Sequence, residues 1–107
     1  MEWIQTDALQ FVKEVNENTF EVLETYQIWG GDIALAHLTI DLNDYDLEDE
    51  VSNYYSSLDE VKEQYGNSWK QIVAEIIAEN NAENGIIFAE EDDLKEHIKS
   101  KYKIQFN

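Results

Sequence analysis

An α+β domain is predicted from three observations. A Gly30-Gly31 pair separates two β-rich apolar runs, and two Ser-led capping boxes precede helical apolar periodicity in the second half. Apolar residues make up 43% of 107 residues and aromatics 12%, enough for one modest core and too much for disorder. Strand signals and helix signals fall in different stretches, so the expectation is an N-terminal helix, a β-hairpin and a helical second half within one acidic globular domain spanning residues 1–107.

The elements follow in order. Thr6 is placed to cap a first helix of about ten residues, because Ala8, Phe11, Val12 and Val15 have the i, i+3, i+4, i+7 spacing of a buried face. From Thr19 the residues become β-rich: Phe20, Val22, Tyr26 and Ile28, then the double Gly, then Ile33, Leu35, Ala36, Leu38, Ile40 and Leu42. Gly tolerates the positive φ of tight turns, so two antiparallel strands are expected over about 20–29 and 32–42. The acidic run Asp41–Glu50 then enters a helix or turn carrying Val51, Tyr54 and Tyr55.

Ser57-Leu58-Asp59-Glu60 is a capping box, and its helix, about 58–65, should end near Gly66. Ser68-Trp69-Lys70-Gln71 is a second box, opening a helix over about 69–81 with Trp69, Ile72, Val73, Ile76 and Ile77 on its apolar face. Ile86, Ile87 and Phe88 are too few for a helix and read as a short third strand or a core-filling extension. A last helix over about 90–102 places Glu90, Glu91, Asp92 and Asp93 in its first turn and Lys95, Lys99 and Lys101 toward its end, each sign complementing the helix dipole.

Charge dominates the rest of the reading. Residues 1–93 hold 23 Asp and Glu against Lys13, Lys62 and Lys70, a net −20, while residues 94–107 hold four Lys and one Glu. A body this anionic repels nucleic acid and anionic membrane, so direct binding to either is not expected. No apolar run long enough for a membrane span and no basic-then-apolar N-terminus occurs, and there is no Cys, which fits a cytoplasmic protein. All seven cations are Lys, so no guanidinium fork serves phosphate recognition.

Catalytic and metal motifs are absent. Asp44-Tyr45-Asp46-Leu47-Glu48 starts like a calcium loop, but its sixth position is Asp49 instead of Gly and its twelfth is Tyr55 instead of Glu. His37 and His97 have no partner His or Cys at ligand spacing, so no metal and no cofactor are expected. The five Ser lie outside any nucleophile motif, and four scattered Gly form no phosphate cradle, which makes an enzyme the unfavoured class. Any two of 24 carboxylates could form an acid/base pair, and reviving that class would take a cleft with shifted carboxylate pKa values.

What remains is the surface. Asp41, Asp44, Asp46, Glu48, Asp49, Glu50, Asp59, Glu60 and Glu63 set nine acids against Lys62 over 23 residues. A net charge of magnitude about 2 to 8 suffices for solubility of a small domain, so the excess calls for another cause. Glu75 and Glu79 lie one helical turn apart, about 6 Å along an axis, against about 3.4 Å per phosphate along one DNA strand, so helix carboxylates can approximate a phosphate ladder. Tyr54 and Tyr55 add the aromatic anchors common in interface cores.

In size, acidity and Tyr content the chain resembles small phage and plasmid antirestriction and anti-CRISPR proteins, a resemblance of composition that carries over no residue roles. It implies an inhibitor, monomer or homodimer, that occupies the basic nucleic-acid-binding surface of a nuclease, restriction or CRISPR effector by DNA mimicry. An immunity protein neutralising a basic nuclease toxin is the alternative, with nearly the same physics. Asp46, Glu48, Asp49 and Glu50 lead the partner-binding candidates, and reversing them to Lys is expected to abolish binding and spare the fold. Asp59, Glu60, Glu63, Glu75 and Glu79 follow.

Overall fold

Adjacent buried residues in the strands at 10–16, 19–27 and 33–41 show that the centre of an N-terminal meander is covered on both faces, while the first strand, residues 4–7, lies at its exposed edge. The computed structural model describes residues 2–106. Five strands, β1 (Ile4–Asp7), β2 (Gln10–Asn16), β3 (Thr19–Gln27), β4 (Ile33–Asp41) and β5 (Ile86–Phe88), form one antiparallel sheet in the order β1-β2-β3-β4-β5. Four helices accompany it: α1 (Leu47–Val51), α2 (Leu58–Tyr65), α3 (Trp69–Asn81) and α4 (Glu91–Tyr102). The α+β class holds, as do the hairpin, the short third strand near residue 86, and the three longer helices.

The expected N-terminal helix is not formed; residues 4–16 are β1 and β2 instead. Of the apolar quartet that suggested a helix, Phe11 and Val12 are adjacent and both buried, while Ala8 and Val15 are exposed. Phe11 packs on one sheet face with Leu23, and Val12 on the other with Val22, so tertiary burial on two faces produced a spacing that imitates a helix. Thr6 caps nothing, and its hydroxyl donates to the Gln10 side chain at 2.9 Å. The turns at Ala8-Leu9 and Glu17-Asn18 carry no Gly, which left both hairpins without a turn signal; an Asn18 N–H bond to Asn16 Oδ1 at 3.1 Å supports the second.

The β3–β4 turn does use its glycines, with φ of 95° at Gly30 and 89° at Gly31. The sheet separates two apolar layers. Val12, Phe20, Val22 and Ile40 pack with Val51 of α1, Val61 of α2, and Val73 and Ile77 of α3. On the opposite face Phe11, Leu23 and Leu35 pack with Leu94 and Ile98 of α4 and with Ile104. No helix among the described residues is long and apolar enough to cross a membrane.

Both Ser boxes open at their expected places but close differently. Ser57 Oγ accepts from the Glu60 N–H at 3.2 Å, while the Glu60 carboxylate reaches past Ser57 to the N–H and hydroxyl of Ser56. Ser68 makes no cap bond: with φ −91° and ψ 3° it sits in a 3-10 turn, Gly66–Ser68, that feeds straight into α3, and its side chain is not aimed at the first turn.

Gly85 positions β5. Its N–H donates to the Tyr26 hydroxyl at 3.0 Å, and a Cβ there would stand 2.8 Å from the Leu35 carbonyl oxygen. Gly85→Ala is therefore expected to push β5 off β4 and cost about 1–3 kcal/mol. Urea unfolding measures this, and an unchanged midpoint would show that the backbone there yields without cost.

Candidate partner-binding face and its carboxylate cleft

The acid run folds into the edge of the helical layer. Leu42–Asp44 is a 3-10 turn capped by Asp41, whose carboxylate accepts from the Asn43 N–H at 2.9 Å. Asp46 is the N-cap of α1 and accepts from the Asp49 N–H at 3.3 Å. Glu48 reaches across to the Leu58 N–H at 3.1 Å and so satisfies the start of α2. Glu50 accepts from Asn80 Nδ2 at 3.0 Å and Asn81 Nδ2 at 3.3 Å, tying α1 to the end of α3.

Asp41, Asp46, Glu48, Glu50 and Glu60 thus carry local structure as well as charge, a role the sequence pattern alone does not separate from solvation. Asp44, Asp49, Asp59 and Glu63 are exposed, and no side-chain hydrogen bond or ion pair holds them among the described residues. Two of the three Lys of the acidic body are engaged elsewhere: Lys13 pairs with Glu21 at 3.5 Å and Lys70 with Glu17 at 3.4 Å. Lys62, on α2, lies over the Trp69 ring at 4.6 Å and is the one cation against the acids of α1 and α2, so the rim stays strongly net negative.

Tyr54, Tyr55, Glu75 and Glu79 come together, in a cleft between α3 and the β1–β2–β3 end of the sheet. One part, about 210 Å³, is lined by Gln10, Tyr54, Tyr55, Tyr65, Glu75 and Glu79. A second, about 410 Å³, shares Gln10 and Glu79 and adds Asp7, Leu9, Glu24 and Thr25. Tyr55 is half-buried, packs on the core and shares a hydrogen bond with the Tyr65 hydroxyl at 2.5 Å. Tyr54 is 47% exposed, which makes it the more accessible ring, and it lines the cleft with Glu79.

Glu24 is the functional candidate that sequence reading missed. It alternates with Phe20 and Val22 on the α3 face of β3 and is 8% exposed. Gln10 Nε2 donates to its carboxylate at 2.7 Å. Burial pushes its pKa up to about 7, helped by the charges of Glu79, Glu75 and Asp7 and opposed by the Gln10 bond. A Glu in the pattern Phe20-x-Val22-x-Glu24 was the available signal, a carboxylate where an apolar residue is due.

Glu75 is also raised, by burial first, with the bond from Gln71 Nε2 at 3.3 Å acting in the other direction. The Tyr54 hydroxyl is raised by desolvation and then by Glu79, and Tyr55 is pushed up to about 12, chiefly by its bond to Tyr65. Three carboxylates and a Tyr ring around an open cleft suit a desolvated cationic side chain, which would relieve the like-charge repulsion. His37 is committed to Glu21 at 2.7 Å and Tyr102 at 3.2 Å, and among the described residues no group of three His, Asp or Glu is arranged to hold a metal ion.

The fold and site together define an α+β protein with an acidic helical face and a carboxylate cleft. Comparison with known proteins finds no matching family model, no matching curated protein and no matching solved structure.

Proposed function

We propose that this protein is an acidic, non-enzymatic inhibitor that occupies the basic nucleic-acid-binding surface of another protein, in the DNA-mimic manner of phage and plasmid antirestriction and anti-CRISPR proteins; the raised Glu24 and Glu75 carboxyls, which meet the condition set for an enzymatic reading, are read as a pocket for a partner's cation. The observation that carries the reading is the adjacency of the net-negative α1–α2 rim to the Glu24–Glu75–Glu79 cleft, joined by Tyr54, which follows α1 and lines the cleft with Glu79. The rim supplies steering through its exposed carboxylates. The cleft supplies a place for one Lys or Arg of the target to be desolvated against carboxylate and ring, the kind of central anchor that dominates binding energy.

The test is capture of proteins from bacterial lysate on the immobilised chain, followed by elution with duplex DNA. The control is a quadruple variant, Asp44→Asn, Asp49→Asn, Asp59→Asn and Glu63→Gln, which touches only rim acids without structural bonds. A DNA-binding protein released by duplex DNA is expected, with an association rate about tenfold slower for the variant, since rim charge acts mainly on encounter. A single basic nuclease that duplex DNA does not release would support the immunity reading. Equal capture on polyglutamate resin would overturn both.

A further inference from the structure

The outer edge of β4 is only half used. β5 pairs with Ile33–Leu35 and goes no further, while β4 runs on to Asp41. The other edge decides which residues turn their backbone outward beyond Leu35. Ile28 N–H donates to the Asp32 carbonyl at one end of the β3–β4 ladder, and Leu42 N–H donates to the Asn18 carbonyl at the other. Hydrogen-bonded pairs alternate along an antiparallel ladder, and the unbroken register puts Glu24–Ala36, Val22–Leu38 and Phe20–Ile40 in the same bonded set.

His37 and Thr39 therefore direct their N–H and C=O groups to the open side. No backbone or side-chain hydrogen bond reaches those groups among the described residues, and both residues are exposed, whereas Ala36 and Ile40 are buried. Exposed edges are usually blunted by Lys, Pro, a bulge or a covering element. This stretch has none of the first three, and what lies alongside it is a groove of about 430 Å³, bounded by Asn81 at the end of α3, Glu83 after it, Ile86 of β5 and Tyr102 of α4.

We propose that the open half of the β4 edge, Ala36–Asp41, is a docking site for an extended cationic segment of a partner protein, which adds to the sheet as a strand in line with β5. Backbone groups of His37 and Thr39 supply the ladder, as in other recognition by strand addition. Charge selects the occupant through the body as a whole: Glu83 and Lys101 balance in the groove lining, and the chain around them carries a net −17. A second copy of the chain would bring two bodies of net charge −17 together, so the occupant is a different, basic chain. The inference does not require the helical face to bind anything.

The probe is a short peptide of alternating Lys and Val, titrated into the isotope-labelled full chain and followed by amide shifts and hydrogen exchange. Saturable shifts and slowed exchange are expected at His37 and Thr39. The same peptide N-methylated at alternate residues should bind about tenfold more weakly or less, having lost two or three backbone donors, and a Glu-Val counterpart should not bind. Thr39→Pro removes one outward N–H and no β3–β4 bond, a placement Pro tolerates at an edge, and should weaken peptide binding several-fold with little change in melting temperature.

Should Thr39→Pro unfold the chain, the N-methylated peptide on the unaltered protein still decides. Equal binding of the N-methylated peptide, shifts confined to the α1–α2 rim, or no shift at His37 and Thr39 would overturn the proposal. So would exchange at these two residues that slows with protein concentration and no peptide, since a second copy would then be the occupant.

Discussion

Glu24→Gln is expected to raise the melting temperature at pH 8 by several degrees and to flatten the pH dependence of stability between pH 5 and 8. The folded protein holds this carboxyl at about pKa 7 against 4.5 when unfolded, so folding favours the protonated form. Its contribution is complete below pH 4.5 and is lost as pH rises through 7. Allowing for solvent screening at the cleft mouth, the loss is about 1–2 kcal/mol, and at about 4–8 °C per kcal/mol for a domain near this size it is readily measured.

Gln keeps a polar group for Gln10 to bond and removes the charge facing Glu75 and Glu79 on α3 and Asp7 on β1. Self-repulsion of the whole anionic body gives a slope of the same sign, so thermal melts belong in about 0.5 M salt, where exposed charges are screened and the buried one is not. Wild-type stability that is flat from pH 5 to 8 under those conditions would show that Glu24 ionises in the fold without penalty.

Simultaneous reversal of Asp46, Glu48, Asp49 and Glu50 to Lys is expected to unfold the α1–α2 edge, contrary to what the sequence pattern implied. The change removes the N-cap of α1, the acceptor for Leu58 N–H and the side-chain acceptor shared by Asn80 and Asn81, which keep only the Glu50 and Ile77 backbone carbonyls, and sets cations at the start of a five-residue helix. At about 1 kcal/mol for each of the three lost carboxylate acceptors, Asp46, Glu48 and Glu50, the sum is about 3 kcal/mol, a large share of the stability of a domain this small. Relief of long-range repulsion offsets part of it. Chemical denaturation beside the quadruple rim variant separates the two groups of acids: similar midpoints for both variants would mean that the hydrogen bonds at α1 contribute nothing net.

The same two cases show where sequence reading reaches its end. The acidity of residues 41–63 is plain in the chain, but an acid that caps a turn and an acid that faces solvent have the same letter. Asp46 and Asp49 differ only in where the backbone of α1 begins, and Glu48 acts on Leu58, ten residues away. Glu75 and Glu79 were legible as neighbours by helical spacing. That they face Tyr54, Gln10 and Glu24 depended on β3 packing against α3, a long-range arrangement that no local pattern encodes.

Among the elements, α2, α3, α4 and the β3–β4 hairpin were readable because their signals are local. A Ser at the cap of α2, a Gly pair with positive φ, an apolar stripe at helical spacing and acids at a helix start each act within a few residues. Residues 4–16 were misread because their spacing reflects burial on both faces of a sheet whose second layer, α4, comes some eighty residues later in the chain. Composition, charge and local caps are properties of the chain itself. The N-terminal strands, the open edge at His37 and Thr39, and the buried ionisation of Glu24 were decided only in the folded protein, since each depends on which distant surfaces remove water from a given backbone or side-chain group.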